Sequence, residues 1–326
     1  MKKSMKIVGM AVCCFVLFYA CKSKSKPVVD EQKAIADLSS VMQAKPAIGV
    51  KTIGILLYDG YTSLDAMGPY QVLGELPGVK VFFVAKQKGA IADARGTKIQ
   101  VDTSIAEVQQ LDVLVVPGGF RETYNMTRDM PVIDWIKKID SSSVYTASVC
   151  TGAWIIGAAG LLDNKNATTH WYGKDILRNE FGAKIEDKRF VRDGKYWTSA
   201  GVTAGMDMSY AMVGSIMGEQ YAKMSMLNLE YDPKPPYEGG SVNNTPENLV
   251  EGMRIMYNQG METALHPEKM YKNLSFANER DPICHMPVGA GVADTAHFNG
   301  KVYGFCSSGC KDAFKVNPSG YIANSK

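Results

Sequence analysis

The sequence predicts an α/β fold: a doubly wound, mostly parallel sheet with helices on both faces, followed by a small C-terminal metal-binding module. Three observations predict it. Short apolar runs alternate with stretches of helical periodicity through most of the 326 residues, the pattern of buried parallel strands joined by crossover helices. One such run, Val144 to Val149, passes through Ser148-Val149-Cys150-Thr151-Gly152 into a small-residue helical pattern, which reads as a strand, a sharp turn and a helix. Lastly, Cys284, Cys306 and Cys310 cluster near the end of the chain, away from Cys150.

At the N-terminus, Lys2, Lys3 and Lys6 precede an apolar stretch, Ile7 to Ala20, that is short for a membrane span. It ends in Leu17-Phe18-Tyr19-Ala20-Cys21 and resembles a bacterial lipoprotein signal, in which residues 1–20 are cleaved and Cys21 carries the lipid. Phe18 and Tyr19 are bulkier than that pattern usually holds, and an uncleaved anchor is the alternative. Either reading places the folded part outside the cytoplasm, facing the periplasm and held at a membrane. Loss of Lys2, Lys3 and Lys6 takes the 36 basic residues to 33, equal to the 33 acidic ones. A near-neutral mature chain with no basic stripe excludes nucleic acid as the expected partner. Residues 21–49, opening with Lys22-Ser23-Lys24-Ser25-Lys26-Pro27, read as a tether.

The main domain is expected over residues 50–260. Thr52 to Leu57 is a buried strand, closed by a turn at Asp59-Gly60. A helix over Leu64 to Leu73 carries Asp65 in its first turn. Val79 to Ala85, Val113 to Val116 and Val144 to Val149 give further strands, with a helix at Val132 to Ile139. Arg189 to Ser199 reads as a hairpin around Asp193-Gly194, and Thr203 through Leu229 as one long helix whose methionines suit a core or a dimer surface.

In such a sheet the loops converge beyond the carboxyl ends of the strands. That brings together Asp65, the loop Pro117-Gly118-Gly119 and the turn at Cys150. A cysteine at a strand-to-helix turn is exposed to the unpaired N–H groups of the helix, which lower a thiol pKa. The same small residues also suit a buried structural cysteine, and Asp65 also suits a helix cap. Gly119 and Thr151 can offer backbone N–H groups to a developing anion, although a glycine pair is equally what a plain turn needs. His170 and Trp171, in Ala167-Thr168-Thr169-His170-Trp171, are candidate pocket residues, with His170 orienting or packing rather than transferring protons.

Taken in order, Leu64-Asp65 with Gly68-Pro69, Pro117-Gly118-Gly119, Ser148 to Gly152, Ala167 to Trp171, Val191-Arg192-Asp193-Gly194 and Gly201 to Asp207 resemble the ThiJ/PfpI superfamily of the class I glutamine amidotransferase-like fold. Within it the likeness is to the bacterial isocyanide hydratases. The resemblance implies Cys150 as nucleophile and Asp65 as acid/base partner. It further implies Gly119 and Thr151 as backbone donors, a homodimer, a small-molecule substrate, no cofactor for catalysis, and hydration of isocyanides to N-substituted formamides. Detoxification of reactive carbonyl compounds, glyoxalase- or deglycase-like, is the alternative activity, and a metal or redox sensor the non-enzymatic one.

After a linker at 261–277, residues 278–326 hold Asp281-Pro282-Ile283-Cys284-His285 and Cys306-Ser307-Ser308-Gly309-Cys310, which resemble the YHS domain of heavy-metal handling proteins. Cys306 and Cys310 stand four apart, on one face of a helix, and Cys284 can complete a soft site. With His285 as a fourth ligand the set suits Zn²⁺ or Cu⁺. A Cys306–Cys310 or Cys284–Cys310 disulfide is the alternative in an oxidising compartment, because a module this small needs some cross-link.

Overall fold

The computed structural model describes residues 30–265, 275–285, 288, 292, 294–305 and 308–323. The expected signal segment, Cys21 and Cys306 lie outside the described residues. The chain divides into two units, Met1–Ala44 and Lys45–Lys326. In the first, part of the expected tether is a helix, α1 (Glu31–Met42), whose N-cap Asp30 accepts a hydrogen bond from the N–H of Lys33 at 3.1 Å. It buries no residue, and Ile35, Leu38 and Met42 are exposed along it.

The second unit follows the predicted alternation. Its elements begin β1 (Thr52–Leu57), α2 (Ser63–Leu73), β2 (Lys80–Ala85), β3 (Gly89–Ala92), β4 (Lys98–Val101), β5 (Val113–Val116), α3 (Arg121–Met126), α4 (Met130–Asp140), β6 (Tyr145–Val149) and α5 (Gly152–Ala158). They continue with β7 (Asn166–Ala167), α6 (Lys174–Phe181), β8 (Lys184–Ile185), β9 (Phe190–Asp193), β10 (Tyr196–Ser199), α7 (Ala204–Met217), α8 (Glu219–Asn228) and α9 (Glu247–Leu265).

The central sheet has the order β2-β1-β5-β6-β10-β9. Every pairing in it is parallel except the β9–β10 hairpin, which turns at Asp193-Gly194 as the sequence implies. From β1 the chain crosses one way to β2, and from β5 it crosses the other way to β6. Right-handed crossovers running in opposite directions put α2 on one face and α4 on the other. The order therefore reverses between β1 and β5, and a crevice opens there at the carboxyl ends of the strands. Ile53, Ile55, Leu56 and Leu57 of β1, and all of β5, are buried, as strands covered on both faces must be.

The long helix expected over Thr203 to Leu229 is two. α7 ends at Met217 and α8 begins at Glu219, because Gly218 takes φ 91 and ψ 160, outside any helical conformation. Glycine adopts that backbone without a side-chain clash. Beyond α9, which crosses the expected domain edge at 260, the C-terminal module forms a hairpin, β11 (Asp294–Phe298) and β12 (Lys301–Phe305), then α10 (Ser308–Val316) and α11 (Pro318–Ala323). Phe314 of α10 packs against Phe305 and Tyr303 at ring separations of 5.0 and 5.2 Å. This is a core of few residues.

The tightest steric demand is at the start of α5. A methyl at Gly152 would overlap the carbonyl oxygen of Val116 and come within 2.8 Å of that of Pro117, neither of which can give way without moving β5. Gly152→Ala is expected to cost about 3 kcal/mol in urea unfolding, whereas Gly49→Ala, with nothing within 4 Å of the new carbon, stays within about 0.5 kcal/mol of the parent.

Candidate active site and metal cluster

Cys150 lies between β6 and α5 with φ 56, the left-handed conformation that points a side chain out of a strand-to-helix turn. Three bonds hold that backbone. Its N–H donates to the carbonyls of Ser199 and Ala200, both at 3.1 Å, and its own carbonyl accepts the Thr169 hydroxyl at 2.7 Å. The residue is only 4 % exposed, so the turn presents the thiol to a closed interior rather than to water.

Asp65, in the first turn of α2, is fully buried and does not cap that helix. Its Oδ2 accepts the Gly118 N–H at 3.0 Å, while Oδ1 is buried with no hydrogen-bond partner. Pro69, four residues on, has no N–H to give the Asp65 carbonyl, which loosens the helix at this residue. Gly68 lets α2 approach α7 closely, an added methyl standing 3.0 Å from Met206.

The electrostatics reverse one sequence expectation. Burial pushes the Asp65 carboxyl up to about 7, outweighing the Gly118 N–H and the Cys150 thiol, which both favour its charged form. Burial also pushes the Cys150 thiol well above its ordinary range, and the Asp65 charge adds to this; the Thr151 N–H pulls the other way but loses. The thiol is therefore protonated at neutral pH. Desolvation exceeds the helix contribution because α5 is short and Cys150 has almost no access to water.

The loop Pro117-Gly118-Gly119 is locked from three sides. Tyr58 donates its hydroxyl to the Pro117 carbonyl at 2.9 Å and pairs with Thr123 Oγ1 at 2.9 Å. The Gly118 carbonyl accepts the Thr62 N–H at 2.8 Å. The Gly119 N–H donates to Thr151 Oγ1 at 3.1 Å, and that hydroxyl returns a bond to the Gly119 carbonyl at 2.8 Å. Gly119 is thus engaged rather than open to a substrate, and the N–H of Thr151 is the donor that reaches the thiol. Tyr58, Thr123 and Thr169 brace the site without having been singled out by sequence; Thr169 stood beside His170 in a quoted motif.

His170 is pushed down to about 4 by burial and the nearby Lys174 charge, so it is neutral at pH 7. Its ring packs in an aromatic cluster, 5.6 Å from Trp171 and 5.7 Å from Tyr257 of α9. Tyr257 also meets Phe120 at 5.2 Å. His170 and Trp171 therefore pack together with Tyr257, a residue 87 positions after His170, where no local motif marks it.

In the C-terminal module, ligand atoms of Asp281, Cys284 and Cys310 lie within 4.8 Å of one another. Asp281 is buried, with Oδ1 accepting the Ile283 N–H at 2.8 Å and the Cys284 N–H at 3.4 Å. His285, at φ 60 where the turn closes, is not in this group, and the carboxylate of Asp281 is. Two sulfurs and a buried oxygen fit a thiophilic divalent ion such as Zn²⁺ better than the sulfur-seeking Cu⁺.

Comparison with known proteins agrees with both halves of this geometry. The DJ-1/PfpI family pattern matches residues 51–214 and the YHS domain pattern residues 280–324. An isonitrile hydratase of Pseudomonas putida is 37% identical over 202 residues, covering 62% of this chain and 88% of that protein. The crystal structure of a ThiJ/PfpI family protein from Pseudomonas syringae superposes with a TM-score of 0.65 at 31% identity, over 75% of this chain and 97% of the other. A deglycase of Pyrococcus abyssi is 31% identical over 150 residues, 45% of this chain and 88% of that protein.

The raised carboxyl of Asp65 has a stability signature. Between the unfolded carboxylate range near 3.8 and the folded value of about 7 the unfolded chain releases a proton that the folded chain keeps, so stability falls as pH rises through that window. Asp65→Asn keeps an acceptor for Gly118 and removes the penalty. Urea unfolding should find it more stable than the parent at pH 8, by up to ~4 kcal/mol, with the difference vanishing below about pH 4.

Proposed function

The chain belongs to the DJ-1/PfpI family, and we propose that it hydrates small isocyanides to N-substituted formamides by covalent thiol catalysis. The observation that carries this reading is the buried carboxyl of Asp65, pushed up to about 7, with an unpartnered oxygen beside a thiol that is itself protonated. A base whose pKa lies near neutrality is matched to taking a proton in the transition state.

The isocyanide's terminal carbon accepts a nucleophile into its empty C–N π* orbital and takes a proton on its lone pair. Ionised Asp65 withdraws the proton of Cys150 as sulfur bonds to that carbon, and the proton passes to the carbon, giving a thioimidate, R–N=CH–S–Cys150. Water, deprotonated by Asp65, adds to the same carbon. Asp65 passes that proton to the nitrogen, giving R–NH–CH(OH)–S–Cys150, then takes the hydroxyl proton as the C=O bond forms and the C–S bond breaks, and returns it to sulfur as R–NH–CHO leaves. The sum is one isocyanide and one water to one formamide, with no redox change. The N–H of Thr151 faces the sulfur and steadies its charge as the bonds exchange.

The likeness to the deglycase favours one second reading, addition of the same thiol to a reactive carbonyl. The two separate on substrate: methylglyoxal consumed with no isocyanide turned over selects the second. The C-terminal module holds a Zn²⁺ ion through Asp281, Cys284 and Cys310 in this reading, with Cys306 available by sequence as a fourth ligand. There it would supply a structural cross-link for a core of few residues. The lysine-flanked N-terminal segment supports lipidation at Cys21 and a lipid-anchored place in the cell envelope, facing the periplasm from the inner or the outer membrane.

Incubated with a phenyl isocyanide, the purified protein is expected to form the formamide, and Cys150→Ala and Asp65→Asn to lose at least about a thousandfold in kcat/KM. In the parent, kcat/KM rises with pH to a plateau above about 7 as Asp65 ionises. Absence of formamide from the folded parent overturns the hydratase reading. For the module, metal analysis should find about one zinc per chain, lost in Asp281→Ala and Cys284→Ser with a fall in Tm confined to that module.

A further inference from the structure

Cys150 is closed off in this structure, and α9 supplies part of the closure. Two of the residues that touch the cysteine's turn are Gly119, through Thr151, and Thr169, through the Cys150 carbonyl. Each is followed by an aromatic residue, Phe120 and His170. Tyr257 of α9 bridges them, with ring separations of 5.2 Å to Phe120 and 5.7 Å to His170, and closes the ring of side chains against Trp171 and Tyr172 at 5.7 and 4.9 Å. Burial raises the Tyr257 phenol, and an ionised Cys150 would raise it further, which places the ring near the sulfur.

The helix that carries Tyr257 buries Met261 and Ala264 near its C-terminal end and reaches the wall of side chains through polar contacts. Asn258 accepts the Tyr172 hydroxyl at 3.0 Å, the Ala264 carbonyl accepts Arg128 at 3.3 Å, and the Arg254 guanidinium lies 5.4 Å from the Trp171 ring centre. Gly260 faces Phe120 so closely that an added methyl would stand 2.6 Å from it. Elsewhere α9 turns Leu249, Met253, Ile255 and Met256 to the solvent. A helix with one inward aromatic over a reactive group, and an outer face of exposed apolar side chains, is placed to control entry.

We propose that Tyr257 is a specificity-determining residue, whose ring against Phe120 and His170 sets the size of the reactant that can reach Cys150. This rests on Cys150 being the reactive group of the proposed function, and not on which substrate it takes. Reactants up to the size of a phenyl isocyanide pass the ring; bulkier ones are held back until it moves.

The test follows alkylation of Cys150 in the full chain by peptide mass spectrometry, with iodoacetamide as the small reagent and N-phenylmaleimide as the bulky one. In Tyr257→Ala the maleimide rate rises about tenfold or more and the iodoacetamide rate less than about threefold, as expected for a steric discrimination. Tyr257→Phe restores the parent ratio, and Met256→Ala, an exposed change on the same helix, leaves it unaltered. Gly260→Ala, which pushes α9 away from Phe120, moves the ratio in the same direction as Tyr257→Ala. Equal increases for both reagents would mean general loosening and overturn the proposal, as would an unchanged maleimide rate. If no isocyanide is turned over while the alkylation order holds, the hydratase reading falls and the role of Tyr257 stands.

Discussion

The site depends on one backbone conformation, φ 56 at Cys150. A non-glycine residue held there costs on the order of 1–3 kcal/mol, and the surrounding structure must over-determine it. It does so from both directions. Hydrogen bonds from β10 and from Thr169 fix the cysteine's own peptide groups, while Gly118 and Gly152 leave room for the carbonyls and the Thr151 backbone to meet at van der Waals limits. The reversal of strand order between β1 and β5 supplies the crevice into which this turn projects. Asp65, from the helix after β1, and Gly118, from the loop after β5, meet there because those two strands are neighbours.

The sequence was most informative where burial is complete. β1, β5 and β6 are short runs whose edges fall within a residue of the expected ones, since a strand covered on both faces admits no charged residue. The hairpin at Asp193-Gly194 was equally legible from its turn chemistry. Gly218 was not, because a single glycine in an apolar helical pattern is usually accommodated, and only tertiary packing decides that it breaks the helix. Helix α1 was hidden likewise by the lysine-rich start of the segment that contains it.

At the site, the residue pair was legible and its charge state was not. A helix N-terminus predicts a lowered thiol pKa, yet the answer depends on how much water reaches the sulfur, and that is set by residues scattered from Tyr58 to Tyr257. The same holds for Gly119, whose N–H is committed to a threonine hydroxyl rather than left open. In the C-terminal module the spacing of cysteines indicated a metal-type cluster, whereas the place of Asp281 beside Cys284 and Cys310 follows from the fold of one turn, where the buried carboxylate already serves the backbone of Ile283 and Cys284.

The protonated state of Cys150 also bears on its survival. Peroxide attacks thiolates, and low-pKa, solvent-accessible cysteines are the ones converted to sulfenic and sulfinic acids. A sulfur kept neutral by desolvation and by an adjacent carboxylate presents very little of that form at rest, and gains nucleophilicity only in the moment a reactant lies against it. The arrangement that delays the thiol's ionisation thus also slows its oxidation.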